Sequence, residues 1–169
     1  MLTRLPDGTP LYIRPIRPDD KLLLESGLER LSEASRYKRF LGPKHRFTEG
    51  ELRYLTELDG INHVAYVALR GDAPKELVAV ARLVRSVENP AAAEIAVTVC
   101  DDFQRRGVGT LLGNLLATAA RDRGIRWLTA TMSAENVGAH RLFNHVSTQL
   151  REWHDGPVDE LWADLAFAA

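Results

Sequence analysis

Cysteine is nearly absent: Cys100 is the single one among 169 residues. One thiol makes no internal disulfide, so no covalent staple holds this chain, and such usage fits a reducing compartment. Long apolar runs are missing too, and none approaches the ~18 residues of a membrane span. The opening stretch from Met1 to Gly8 carries no apolar core of a secretion signal. Charge of one sign is also lacking. Lys and Arg number 22 against 23 Asp and Glu, a formal charge of −1, so no global field draws nucleic acid or an anionic membrane. These absences predict a cytoplasmic chain with neither nucleic acid nor membrane as partner. No Gly/Ser linker, repeat or low-complexity stretch divides the sequence, which suits one domain, 1–169, around one sizeable core.

What is present reads as mixed α/β. Residues 10–15 alternate Leu11 and Ile13 with polar neighbours after a Pro-Asp-Gly turn, the pattern of a strand. Asp19-Asp20 precede Leu22, Leu23, Leu24, Leu28 and Leu31, which predicts a helix with acidic residues at its positive end. Ser32 is placed to cap a second helix through Phe40, and Thr48-Glu49-Gly50-Glu51 has capping-box spacing ahead of Leu52, Leu55 and Leu58. Strand-like runs over 63–70, 77–86 and 93–100 are joined by turn chemistry at Gly71-Asp72-Ala73-Pro74 and Glu88-Asn89-Pro90, implying an antiparallel meander. Val108, Leu111, Leu112, Leu115, Leu116, Ala119 and Ala120 then share one helical face, with Arg121 and Arg123 in the last turn and Gly124 as the stop. A strand over 127–132, a helix over 136–145, and a hairpin of 148–153 with 161–167 around Asp155-Gly156-Pro157 complete the chain. The crossover from 93 to 132 should set its two strands parallel.

The informative segment runs from Glu94 to Thr110, where a strand leads through Gln104-Arg105-Arg106-Gly107-Val108-Gly109 directly into a helix. Two glycines let a ligand approach the backbone where a Cβ would clash. The helix start offers free N–H groups and a positive dipole end, Arg105 and Arg106 add cationic charge, and Thr110 adds a hydroxyl. Such a junction suits a pyrophosphate. It is not a P-loop, having no Lys before Thr110, and it lacks the third glycine of a dinucleotide fingerprint, where Leu112 stands. A plain loop solvated by two arginines is the alternative reading.

Gln/Arg-x-x-Gly-x-Gly at a strand–helix junction resembles the coenzyme A motif of the GNAT N-acetyltransferases. The order of elements is similar to that family over nearly the whole length. Ser133-Ala134-Glu135-Asn136-Val137-Gly138-Ala139-His140-Arg141-Leu142-Phe143 resembles its Asn-x-x-Ala-x-x-Leu-Tyr segment. Leu31 to Phe40, Phe47-Thr48 and Leu55 to Asp59 are similar to the acetyltransferase domain of bacterial protein lysine acetyltransferases, some of which carry a regulatory domain.

The resemblance implies a twisted, mostly antiparallel sheet of six or seven strands with a parallel splayed pair at the cofactor site, flanked by about four helices. It implies acetyl-CoA as co-substrate and no metal. Pantetheine would enter between strands 93–100 and 127–132 and pair with main-chain groups of Val97, Thr98 and Val99, the Val97 N–H polarising the thioester carbonyl. Gln104, Arg105, Arg106, Gly107, Val108, Gly109, Thr110 and Asn136 would contact the rest of the cofactor. Glu94 matches the general base, set among apolar neighbours Ala93 and Ile95; the alternative is a strand-end Glu facing solvent or paired with Arg82 or Arg85. Val97 and Val99 serve equally as core residues, and Asn136 equally as a helix cap. Phe143 stands where relatives place a Tyr that returns a proton to the thiolate, and Phe has no proton to give.

The acceptor implied is a primary amine, a protein lysine first and a small-molecule amine next. A non-catalytic coenzyme A-binding regulatory module and a nucleotide-phosphate binder are the alternatives from other classes, and a homodimer through the final strands is compatible with the pattern. Cys100 reads as a buried structural thiol. His45, His63, His140, His145 and His154 lack metal-ligand spacing, and the basic run from Arg36 to Arg46 reads as a solvated face.

Overall fold

The computed structural model describes residues 1–167. Among them eight strands form one sheet in the order β1-β2-β3-β4-β5-β6-β8-β7. These are β1 (Leu2–Arg4), β2 (Pro10–Pro15), β3 (His63–Arg70), β4 (Ala73–Arg85), β5 (Ala92–Val99), β6 (Trp127–Ser133), β7 (Leu150–Asp155) and β8 (Val158–Asp164). Every neighbouring pair is antiparallel except β5 with β6, joined by the crossover helix α4 (Val108–Arg121). The remaining helices are α1 (Lys21–Glu29), α2 (Glu33–Phe40), α3 (Glu49–Thr56) and α5 (Val137–Val146). No helix among the described residues is long and apolar enough to cross a membrane.

Three details depart from the sequence pattern. Leu2–Arg4 adds an edge strand, giving eight rather than six or seven; three residues carry too little alternation to read, and β2 supplies their hydrogen-bond partners. The turn after β3 is only Gly71-Asp72, so β4 starts at Ala73. The last hairpin turns at Gly156-Pro157, with Gly156 at φ +59°, and its second strand ends at Asp164, before a 3-10 turn over Leu165–Phe167. Arg123 lies just beyond α4, donates to Ala119 O in its last turn and also to Gly60 O and Ile61 O, so it satisfies a helix-end carbonyl and ties a loop to it.

Period-two alternation divides β4 and β5 between two cores. Ala79, Ala81 and Leu83 with Ile95, Val97 and Val99 face the layer of α4, whose Val108, Leu112, Leu116 and Ala120 are all buried. On the other side Leu24, Leu52, Val67 and Leu77 pack with Val80 beneath α1 and α3. The Thr48 cap box forms as expected, Thr48 Oγ1 accepting from Glu51 N and Glu51 accepting from Thr48 N. Such a cap stabilises a helix by about 1 kcal/mol. Where α4 meets α5, a Cβ on Gly113 would come 2.2 Å from Leu142 Cδ1, so glycine permits the close crossing.

Candidate functional site

The parallel ladder is short. Only Ala92, Ala93 and Glu94 pair with Trp127, Leu128 and Thr129. β6 stays paired with β8 along its full length and β5 with β4, so beyond Glu94 the two strands diverge. Cys100 N donates to Val78 O, and Ser86 N donates to Ala92 O, which fixes the parity of the β4–β5 ladder. Even-numbered residues of β5 direct N–H and C=O at β4; Val97 and Val99 direct theirs into the gap. Thr98 is therefore not a main-chain contact for anything in the gap, because its N–H and C=O face Val80. Its side chain lines a cleft on the other face instead. Sequence alone gave three consecutive backbone contacts; the alternation of an antiparallel ladder allows only alternate ones.

At the open end of the gap, α4 begins. Gly107 is its N-cap at φ +88°, supplies no side-chain cap, and leaves the N–H groups of Val108, Gly109 and Thr110 without intrahelical partners. Gly109 has no heavy atom within 4 Å of where a Cβ would stand, and Thr110 is exposed. Arg105 is held at φ +59°, a left-handed conformation that costs a non-glycine residue about 1–2 kcal/mol. Val108 is 1% exposed, its side chain packed into the core beneath α4.

Two expected contacts are otherwise engaged. Gln104 donates through Nε2 to Val99 O and Ser35 Oγ, stitching the loop to β5 and α2. Arg106 reaches back to the β1–β2 turn, where it binds Asp7 at 2.7 Å and Thr9 Oγ1 at 2.6 Å and stacks on Phe103. The Thr9 N–H and hydroxyl first, and Arg106 after them, hold the Asp7 carboxyl down at about 2. Arg106→Ala should therefore raise the Asp7 pKa only part of the way to its usual value, the Thr9 bonds remaining; carbon-detected NMR titration reads it. Asn136 caps α5, its Oδ1 accepting from Ala139 N at 3.2 Å.

Glu94 stands where the ladder ends and is exposed. The enclosed apolar setting expected from Ala93 and Ile95 is absent, because those neighbours point to the opposite face. Neither alternative partner reaches it. Arg82 is buried and donates to Leu55 O and the His63 ring, while Arg85 donates to Pro90 O and Arg123 O. Burial pushes the guanidinium of Arg39, on α2, below its usual value, and the Glu94 charge opposes that shift.

On Glu94's face of β5, Ala96, Thr98 and Cys100 line an apolar cleft closed by Leu24, Leu28, Phe40 and Phe47. Its polar groups include Arg39 and Arg82, and among the described residues no carboxylate lines it. Burial and the nearby Arg39 charge lower Arg82 to about 10, still a cation at neutral pH. Burial, then the Arg82 charge, lowers His63 to about 4, so His63 is neutral at neutral pH and accepts from Arg82. Below its unfolded value near 6.5 the unfolded chain takes up a proton that the folded chain refuses. Stability should thus fall as pH drops from about 6.5 to 4. Urea midpoints measured across that window check this, and His63→Gln should flatten that part of the profile.

Cys100 is 3% exposed, its thiol pushed up to about 11 by burial and set 3.3 Å from Leu77 O; it is no nucleophile. Phe143 is sealed in the core at 1% exposure and offers no proton to the gap. Arg36 and Lys44, read as a solvated face, are structural: Arg36 binds the carbonyls of Leu31 and Glu29, and Lys44 pairs with Glu51. Sequence spacing also missed one assembly. His140, Glu152, His154 and Asp159 meet on α5, β7 and β8, which tertiary packing alone brings together.

The comparisons agree with this geometry. The profile of the Acetyltransferase (GNAT) family matches residues 29–146. Acetyltransferase Pat of Mycolicibacterium smegmatis is 32% identical over 139 residues, covering 82% of this chain and 41% of its own. The chain thus spans about two fifths of that relative's length. Acetyltransferase PA5475 of Pseudomonas aeruginosa is 34% identical over 133 residues, covering 78% of this chain and 71% of its own. Among solved structures, the GNAT domain of S. lividans PAT superposes with a TM-score of 0.86 at 29% identity, over 98% of this chain and 96% of that one. A diverging parallel strand pair above an uncapped helix start, together with these matches, places the chain in the GNAT family of N-acetyltransferases.

Proposed function

We propose that this chain moves an acetyl group from acetyl-CoA to a primary amine, a protein lysine, with Glu94 as general base. The observation that carries this reading is the gap beyond Glu94 and Thr129, where Val97 turns its N–H and C=O, and Val99 its N–H, toward the space above the start of α4, the Val99 carbonyl being taken by Gln104. Pantetheine laid in the gap pairs with them by strand addition, and its pyrophosphate meets the N–H groups of Val108, Gly109 and Thr110. Arg105, exposed at the same loop, supplies charge; Gln104 and Arg106 support the loop from behind.

The amine nitrogen attacks the thioester carbonyl carbon. A C–N bond forms, the carbonyl oxygen takes negative charge stabilised by the Val97 N–H, and C–S cleavage expels the thiolate. A lysine amine has a reference pKa near 10.4 and arrives protonated; the exposed Glu94 carboxylate accepts the proton directly or through water. With Phe143 buried, no acid is assigned to the sulfur, and a thiol of reference pKa near 8.5 departs as thiolate. The cleft beside Glu94 favours a lysine over a polyamine. Its apolar walls suit a methylene stem, Arg39 and Arg82 disfavour a protonated amine, and no carboxylate among the described residues lines it to hold a second cation.

The test is thermal stabilisation by acetyl-CoA against ATP and buffer. At a hundred times the dissociation constant the ligand adds about 2.7 kcal/mol, which for this chain length raises Tm by roughly 5–10 °C. Absence of a shift at millimolar acetyl-CoA overturns the reading. Within a working site, Arg105→Ala should weaken acetyl-CoA roughly tenfold, as loss of one charge-assisted hydrogen bond does, while Arg106→Ala changes it by about twofold or less, because its guanidinium is held by Asp7 and Thr9.

A further inference from the structure

We propose that His140, Glu152 and Asp159 form a binding site for one divalent transition-metal cation of the zinc class, which would clamp α5 to the terminal hairpin. One ligand atom from each residue lies within 4.8 Å of the other two. Zinc bonds of about 2.0–2.2 Å at tetrahedral angles put ligands about 3.3–3.6 Å apart, so closure needs a contraction of roughly an ångström. Imidazole nitrogen and carboxylate oxygen are both zinc donors, and three of them leave a fourth position for water.

Charge carries the argument further. Asp159 is 2% exposed, yet no Lys or Arg pairs with it among the described residues. Its carboxylate meets only imidazoles: His140 Nε2 is 3.1 Å from Oδ2, and His154 Nδ1 is 2.6 Å from Oδ1. Glu152 Oε1 is a further 3.4 Å from His140 Nδ1. The two carboxylates bring two negative charges into one cluster, one of them deep in the protein. A dication cancels both.

The surroundings are also arranged as a metal site requires. His154 Nδ1 fixes one oxygen of Asp159 and leaves the other toward His140, the role that an outer hydrogen-bonding partner plays around a ligating carboxylate. Glu152 is partly exposed, which gives an ion a route from solvent. The three ligands come from different elements, so a bound ion ties α5, which carries the Asn136 cap, to β7 and β8, the strands that back β6 beside the gap.

Untagged protein titrated with Zn²⁺ by calorimetry should bind one equivalent, and saturating Zn²⁺ should raise Tm by several degrees. Co²⁺ used in its place should develop visible absorption bands of a four-coordinate ion. Glu152→Gln, on an exposed strand face, and His140→Ala should each weaken binding at least tenfold while far-UV circular dichroism stays unchanged. Fewer than one equivalent bound at 100 µM metal, or stoichiometric binding that survives both substitutions, overturns the proposal. In the latter case surface histidines are the ligands. Neither readout involves acetyl-CoA, so failure here leaves the acetyl-transfer reading untouched.

Discussion

Gly109→Glu should abolish acetyl-CoA binding while leaving the free protein as stable as before, or more so. Nothing lies within 4 Å of a Cβ at this position, so the side chain enters open space. Gly109 is the second residue of α4, where a carboxylate interacts favourably with the dipole by about 0.3–1 kcal/mol and removal of a helical glycine adds roughly 0.5–1 kcal/mol. The same carboxylate would sit against the cofactor's pyrophosphate. Two unit charges about 4 Å apart repel by roughly 4 kcal/mol at an effective dielectric near 20, close to a thousandfold in affinity. Differential scanning fluorimetry with and without acetyl-CoA reads both halves. A retained ligand shift would remove the pyrophosphate from this helix start; a fall in the free protein's Tm would mean that the space is not open.

Glu94→Gln should reduce turnover at neutral pH by about 10²–10⁴-fold, the usual contribution of a general base, with acetyl-CoA binding intact. The substitution keeps size and polarity at an exposed site whose neighbours contribute no direct bond to the carboxylate, so stability should hardly change. The pH profile separates a base from a mere binding residue. Without Glu94 the reaction depends on amine already deprotonated in solution, so kcat/KM should climb about tenfold per pH unit toward the lysine pKa near 10.4. Thiol release from acetyl-CoA with a lysine peptide measures this. Activity within threefold of the original at pH 7.5 would dismiss Glu94 as the base. A substrate-binding role would instead appear as a raised KM with kcat preserved.

The helices and most strands were legible because their information is local. The strand-like runs over 63–70 and 93–100, the capping box at Thr48 and the helical stripe from Val108 to Ala120 are each signals carried within one element. β1 was not legible, since three residues acquire strand character only from β2 alongside them. The loop from Gln104 to Thr110 was legible as a glycine-bearing helix start. The division of labour within it was not: Arg105 faces outward at a positive φ, whereas Arg106 binds Asp7, 99 residues earlier in sequence.

The sequence by itself determined the order of elements, the parallel crossover and the position of a glycine-bearing helix start, because each follows from neighbours along the chain and from the period of one element. Tertiary structure decided what depends on pairing between distant segments. Ladder parity with β4 gave the gap to Val97 and Val99 and took Thr98 out of it. Packing in the tertiary structure sent Arg82 to Leu55 O and the His63 ring and Arg85 to Pro90 O and Arg123 O, away from Glu94. The fold of α5 over the last hairpin gathered His140, Glu152 and Asp159, whose sequence spacing carries no ligand signature. Side-chain contacts of that range are set by three-dimensional packing, and local periodicity does not encode them.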